Sequence, residues 1–173
     1  MTLVVADSSP IRYLAVLNVI GVLPQLYDRV ILPRSVLNEL CHPHAPAEAR
    51  SWASALPAWA EVRQAARIEL GDVLDAGEAE AIALAEELGA DLVLIDEREA
   101  RRVAVERGLK VAGIIGVLEQ SAARHLIDLR QSLEKLLGTN FRIDRRYLEE
   151  ALARDAMRQE RERATPRRRD PEP

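Results

Sequence analysis

The chain has 173 residues, enough for one domain with a real core. It is 48% hydrophobic but only 3% aromatic, so that core must be built from Ala, Val, Leu and Ile. Its formal net charge of -4 gives no whole-molecule attraction for nucleic acid, and any such binding needs a local basic patch.

No apolar run reaches the roughly 18 residues that span a bilayer, and no basic-then-apolar leader opens the chain. The expectation is a cytoplasmic protein without membrane association. The single cysteine cannot form an internal disulfide, which fits a reducing compartment.

In chain order, short β-branched runs alternate with helical ones. LVVA (3–6) reads as a strand and is followed by PIRYLAVLNVIG, with proline early and glycine at its close, as helices prefer. RVIL (29–32) reads as the second strand and precedes PRSVLNEL, again opened by proline. A short helix around 48–57 leads to WAEVR (59–63), the third strand. DAGEAEAIALAEELG (75–89) is the clearest helix, with small or apolar residues at Ala79, Ile82, Ala83, Ala85 and Leu88 and Gly89 ending it. DLVLI (91–95), EREARRVAVERG (97–108) and KVAG (110–113) form a strand–helix–strand unit, and three closing helices follow. Continuous apolar strands alternating with helices predict a parallel sheet covered on both faces. From about Gln159 the chain becomes charged and proline-containing, so the expected division is a domain over 1–154 and a charged extension over 155–173 with a disordered end.

Two strands deliver an acid at their carboxyl end, Asp7 after the first and Asp96 after the fourth. Ligands of open α/β sheets bind at such ends, where the strand order reverses. The structural reading of each acid is a helix N-cap. Glu39, in PRSVLNEL, reads by itself as a surface glutamate. Glu78 is spaced from Asp75 as in a capping box. Brought together, the four carboxylates would repel unless a cation relieved them. Mg²⁺ and Mn²⁺ prefer such oxygen ligands, and either would support phosphodiester hydrolysis through an activated water.

The segments VADSSPIRYLAVL, ILPRSVLNEL, LDAGEAEAIALAEELGADLVLIDEREARRVA and GLKVAGIIGVLEQSAARHLI resemble a PIN domain. That is the nuclease fold of bacterial and archaeal toxin–antitoxin ribonucleases, and the DUF3368 branch matches best. The resemblance implies a three-layer α/β/α fold with a five-stranded parallel sheet in the order 3-2-1-4-5. It also implies a catalytic and metal-binding set of Asp7, Glu39, Glu78 and Asp96, with Mg²⁺ or Mn²⁺ as cofactor. Glu78 departs from the aspartate of many relatives. Which of Asp96, Glu97 and Glu99 approaches the metal stays open, and Ser8 would fix the Asp7 carboxylate or touch a phosphate. The implied partners are single-stranded RNA as substrate, a cognate antitoxin and a second copy in a homodimer. The alternative is a PIN-like scaffold without activity that binds RNA or protein.

Arg12, Arg98 and Arg101 are candidates for RNA phosphate, each with a solvated-face alternative. Cys41, His42 and His44 in CHPH suggest zinc, but adjacent Cys-His does not chelate one tetrahedral ion easily and no second cluster completes it. His42, just past the helix of Glu39, is a candidate substrate contact. A phosphoacceptor receiver would want an acidic pair after its first strand, where this chain has serines, and a haloacid-dehalogenase-type phosphatase a second aspartate where Ser9 stands.

Overall fold

A computed structural model describes residues 1–69 and 73–164. The five strands are β1 Leu3–Ala6, β2 Arg29–Pro33, β3 Ala60–Arg63, β4 Leu92–Leu94 and β5 Val111–Ala112. They form one sheet in the order β3-β2-β1-β4-β5 with every neighbouring pair parallel, the order expected. All four residues of β1 are buried. Leu3 and Val5 join the apolar cluster that includes Ile82, Leu84 and Ala85, while Val4 and Ala6 are equally buried on the opposite face. The strand order reverses between β1 and β4, and Val5 pairs with Ile31 on one side and Val93 on the other. The carboxyl ends of β1 and β4 therefore open on one crevice.

The helices are α1 Ser8–Val16, α2 Leu23–Leu26, α3 Arg34–Leu40, α4 Ala47–Ser54, α5 Ala76–Leu88, α6 Arg98–Glu106, α7 Ile114–Ala123, α8 Leu129–Leu137 and α9 Arg145–Ala164, with a 3₁₀ turn at Ile20–Val22. By compactness the chain divides into a first unit, Met1–Val117, and a second that begins at Leu118. The first holds the sheet. In the second, Leu129, Leu133 and Leu136 of α8 are buried, as are Leu148 and Ala151 of α9. Among the described residues no helix is long and apolar enough to cross a membrane.

Two boundaries differ from expectation. The first helix was expected to run to Gly21, but α1 ends at Val16 because Asn18 takes a left-handed φ of 56°. Its N–H donates to Ala15 O (2.9 Å) and that of Val19 to Leu14 O (3.0 Å), the paired bonds of a Schellman closure. Gly89 closes α5 in the same way, with φ 60° and Ala90 N–H donating to Ala85 O. The second difference is α9, which crosses the expected boundary at 154/155 and stays helical to Ala164. Arg158 pairs with Asp155 at 2.5 Å and Glu162 at 2.8 Å, and such i,i+3 and i,i+4 pairs sustain a helix of charged residues. The rest of the extension, 165–173, lies outside the described residues.

Asn18 is exposed, so its backbone can be tested without disturbing packing. Asn18→Val should destabilise the protein by about 1–2 kcal/mol and Asn18→Gly by a few tenths at most, measured by urea unfolding.

Candidate active site

Asp7 follows β1 directly. Its N–H donates to Leu94 O at 2.9 Å, which fixes it against the end of β4. It is also the N-cap of α1, with Oδ2 accepting from Ser9 N–H at 3.4 Å. Oδ1 is different: it is buried and has no hydrogen-bond partner among the described residues, in a side chain only 3% exposed. Burial is the main force that pushes the Asp7 carboxyl up to about 7, with help from the charges of Asp75 and Glu39 and against the amides of Ser8 and Ser9. The capping role expected of an aspartate before a helix and the free oxygen expected of a ligand thus fall on the two oxygens of one side chain.

Glu39 reaches the same space from α3. A Cβ on residue 77 would lie 2.6 Å from Glu39 Oε1 and 3.2 Å from Asp7 Oδ1, so both oxygens press on the bare face of Gly77 in the first turn of α5. Only glycine leaves that room. Burial and the charge of Asp75 raise the Glu39 carboxyl, while the Ser8 hydroxyl, the Gly77 amide and Arg12 lower it. Ser8 was expected to fix Asp7 or meet a phosphate. Its amide lowers the Asp7 carboxyl, and its hydroxyl lowers that of Glu39.

Glu78 and Asp75 form the capping box read from their spacing. Glu78 N–H donates to Asp75 Oδ1 at 2.9 Å, and Asp75 N–H donates to Glu78 Oε2 at 3.2 Å. Yet Glu78 is buried, and that burial, with Asp75, Glu97 and Glu39 nearby, pushes its carboxyl up to about 7. Asp96 sits beyond β4 with Oδ1 accepting from Ile114 N–H at 2.8 Å and Oδ2 from the Ser9 hydroxyl at 3.4 Å. Ser9 therefore holds Asp7 through its amide and Asp96 through its hydroxyl. Burial raises the Asp96 carboxyl, and Ile114, Arg101, Ser9 and Arg12 oppose the rise.

The remaining candidates divide. Glu97 is the N-cap of α6, its Oε2 accepting from Glu99 N–H at 2.6 Å and Ala100 N–H at 2.9 Å, while its charge acts on Glu78. Glu99 is exposed and ion-paired to Arg102 at 2.5 Å, which lowers its carboxyl, so it is spent away from the cluster. Arg98 is exposed beside Glu99. Arg101 donates to Ile95 O at 2.8 Å and lies close enough to act on Asp96. Arg12 stacks on Tyr13, with Cζ 4.7 Å from the ring centroid, and its charge acts on both Glu39 and Asp96.

Among the described residues no three His, Cys, Asp or Glu side chains converge into a ready-made metal cage. The donor set nonetheless fits a hard divalent cation of the magnesium kind, which is commonly held by one or two carboxylates and otherwise keeps its waters. Asp7 Oδ1, orphaned and buried, faces the same small space as Glu39 Oε1.

Glu80 was not singled out in the sequence and carries much of the local order. It is 2% exposed, and both of its oxygens accept from backbone amides. Oε2 takes Ser35 N–H at 2.8 Å and the Ser35 hydroxyl at 2.5 Å, and Oε1 takes Ala65 N–H at 3.1 Å. It thereby ties the first turn of α3, a helix with no side-chain cap of its own, to α5 and to the segment after β3. The one signal in the sequence was the small residues around it: Gly77, Ala79 and Ala81 are all buried, as are Glu78, Glu80 and Ile82 between and beside them, so this stretch of α5 is enclosed.

Two outcomes follow from this geometry. Because both Glu80 oxygens accept, glutamine satisfies only one amide, so Glu80→Gln and Glu80→Ala should each lower stability to urea by about 1–3 kcal/mol. Carboxyls raised in the folded state bind protons more tightly there than in the unfolded chain. With metal chelated, stability should fall as pH rises from about 4, where unfolded carboxyls ionise, to about 7, and then level off. Asp7→Asn should make that fall shallower and raise stability at pH 8 by on the order of 1–4 kcal/mol, as read by urea unfolding at each pH.

A search of curated proteins finds no match. Among solved structures the fold resembles a PilT N-terminus domain protein from the hyperthermophilic archaeon Sulfolobus solfataricus P2, with a TM-score of 0.50 and 18% sequence identity over 83% of this chain and 100% of that one. At that identity the likeness speaks for the fold alone. Residues 3–156 match the family DUF3368, described as a PIN domain. With the match spanning nearly all of the described residues and the sheet order in agreement, the chain belongs to the DUF3368 family of PIN domains, a nuclease-type fold.

Proposed function

We propose that this protein is a metal-dependent endoribonuclease that hydrolyses single-stranded RNA. The observation that carries the reading is the pair of oxygens over Gly77: Asp7 Oδ1, buried without a partner among the described residues, and Glu39 Oε1 facing the same space. Asp7 and Glu39 would hold a Mg²⁺ or Mn²⁺ ion, which when bound supplies charge neutralisation at a phosphoryl oxygen and makes water more acidic.

The chain's own groups have separate tasks. The Ser8 hydroxyl and the Gly77 amide favour the charged form of Glu39. Ser9 sets Asp7 and Asp96 in register at the ends of β1 and β4. Glu78 keeps Oε2 on the Asp75 amide, which leaves Oε1 to take a proton from the attacking water. A carboxyl held at about 7 exchanges a proton readily at neutral pH. Water is the nucleophile in this reading, and the alcohol of the broken ester leaves with a proton from solvent. The same proposal extends, through the family resemblance, to a toxin role with a cognate antitoxin and a homodimer, which co-purification from the native locus and light scattering would test.

Asp7→Ala and Glu39→Ala should each lower cleavage of a single-stranded RNA panel by about 10²-fold or more with the fold retained. EDTA should abolish cleavage, and Mn²⁺ or Mg²⁺ should restore it. A cation that binds only the folded protein should raise its melting temperature, and less so in Asp7→Asn. Gly77→Ala should fold yet lose most of that cation response, because its new Cβ displaces Glu39 Oε1. Glu78→Asp should retain activity that Glu78→Ala loses; full activity in Glu78→Ala would reduce Glu78 to a capping residue. A well-folded protein that binds Mn²⁺ and cleaves no RNA would establish the scaffold reading in its place.

A further inference from the structure

Beside the acid cluster lies an open cavity of about 440 Å³, lined by Ser8, Arg12, Asn38, Glu39, His42 and His44 among others. Its volume is in the range of small-ligand sites, and it shares Ser8 and Glu39 with the acid cluster. Whatever fills it therefore lies next to the group that Asp7 and Glu39 address.

Three features of its lining point to a nucleotide. Arg12 is held against Tyr13, with Nη2 donating to Tyr13 Oη at 3.2 Å, yet its Nε is buried and has no partner among the described residues. A guanidinium fixed in place with a donor unspent suits a phosphate oxygen. His42 and His44 pack on one another with ring centroids 5.1 Å apart and planes tilted by 33°, and a base can stack on the outer face of such a pair. His42 Nδ1 accepts from His44 N–H at 3.3 Å, so in the neutral ring the proton sits on Nε2, free to donate to a ligand.

The loop that carries these rings is braced. His42 N–H donates to Glu39 O at 3.1 Å, Ala45 N–H to His42 O at 2.9 Å, and Arg50 Nη1 to Pro43 O at 3.1 Å. The imidazoles are thus exposed but presented on a fixed backbone, which keeps down the entropy lost on binding. Arg12, His42 and His44 also supply the local patch of donors that a chain of net charge -4 needs to hold a polyanion.

We propose that this cavity holds the nucleotide adjoining the scissile phosphate of a single-stranded RNA, with Arg12 on its phosphate and His42 and His44 on its base. A single strand is required because only an unstacked base can reach the rings. The proposal rests on the ribonuclease reading for the position of the scissile bond, but its test reads binding.

The measurement is fluorescence anisotropy of a labelled ten-nucleotide single-stranded RNA on Asp7→Asn protein in Mg²⁺, at several salt concentrations. Adding Arg12→Gln should weaken binding about 10-fold and flatten the log K against log[salt] slope by about 0.7, the loss of one phosphate contact on a single strand. Adding His42→Ala with His44→Ala should weaken binding about 10-fold with the slope unchanged, as for a lost stacking surface. In Asp7→Asn protein with both histidines intact, their imidazole NMR signals should shift when RNA is added. Affinities within twofold of the Asp7→Asn parent in folded variants, with unmoved imidazole signals, would overturn the proposal. His42 and His44 are exposed loop residues, so their arm decides the matter even if Arg12→Gln unfolds. Binding weakened by these added substitutions, with a wild-type protein that cleaves no RNA, would sink the nuclease reading and leave the cavity standing. Unchanged binding alongside normal wild-type cleavage would do the reverse.

Discussion

Holding Asp7 where only 3% of it meets solvent strips a carboxylate of hydration, and one of its oxygens receives no hydrogen bond in return among the described residues. The neighbouring elements are arranged around that deficit. The parallel pairing of β1 with β4 brings Asp7 N–H onto Leu94 O and leaves its side chain at the crevice where the strand order reverses. The first amides of α1 oppose the rise in its carboxyl pKa. Glu39 worsens the crowding, yet α3 and the bare face of Gly77 hold it there. In the proposed reading a bound cation would relieve that crowding, as a hard divalent ion does for paired carboxylates.

In the acids of the cluster, capping a helix and keeping an oxygen uncommitted to that cap are compatible. A carboxylate has two oxygens, and several of these spend one on backbone. Asp7 gives Oδ2 to Ser9, Glu78 gives Oε2 to Asp75 and Glu97 gives Oε2 to the start of α6. The bond that caps the helix also fixes the rotamer, so the second oxygen is aimed without further support. Glu80 marks the contrast. Both its oxygens are spent on Ser35 and Ala65, and nothing is left for a ligand.

Much of this was legible in the sequence because its signals are local or topological. Apolar strand runs alternating with helices led to a parallel sheet covered on both faces, the resemblance to a PIN domain to its strand order, the Asp75–Glu78 spacing to the capping box, and Gly89 to the end of α5. What escaped depends on partners distant in the chain or on conformations that several residues share. Asn18 closes α1 in the left-handed region, and asparagine signals that far less clearly than Gly21 signals a stop. Ser9 bridges two strand ends through an atom that reads in sequence as an ordinary hydroxyl. Glu80 looks like one glutamate among several in a helix, and its role appears only when the amides of Ser35 and Ala65, 45 and 15 residues away, are brought against it.

The short helix α3 shows how far such a remote tie can reach. Its seven residues are too few to hold a helix by propensity, and Pro33 at its N-cap offers no side-chain acceptor. Its order comes instead from the buried side chains of Val36 and Leu40 and from Glu80 on its first turn. Yet α3 carries Glu39 toward Asp7, and the Glu39 carbonyl then accepts the His42 amide at the start of the braced loop. One buried carboxylate that faces neither the acid cluster nor the cavity thus sets the element from which both are built. The separation between the Asp7–Glu39 pair and the two imidazoles is fixed by α3 and its bonded loop, and under the proposed function that rigid spacing would hold a nucleotide on the rings beside the bond addressed at the acids.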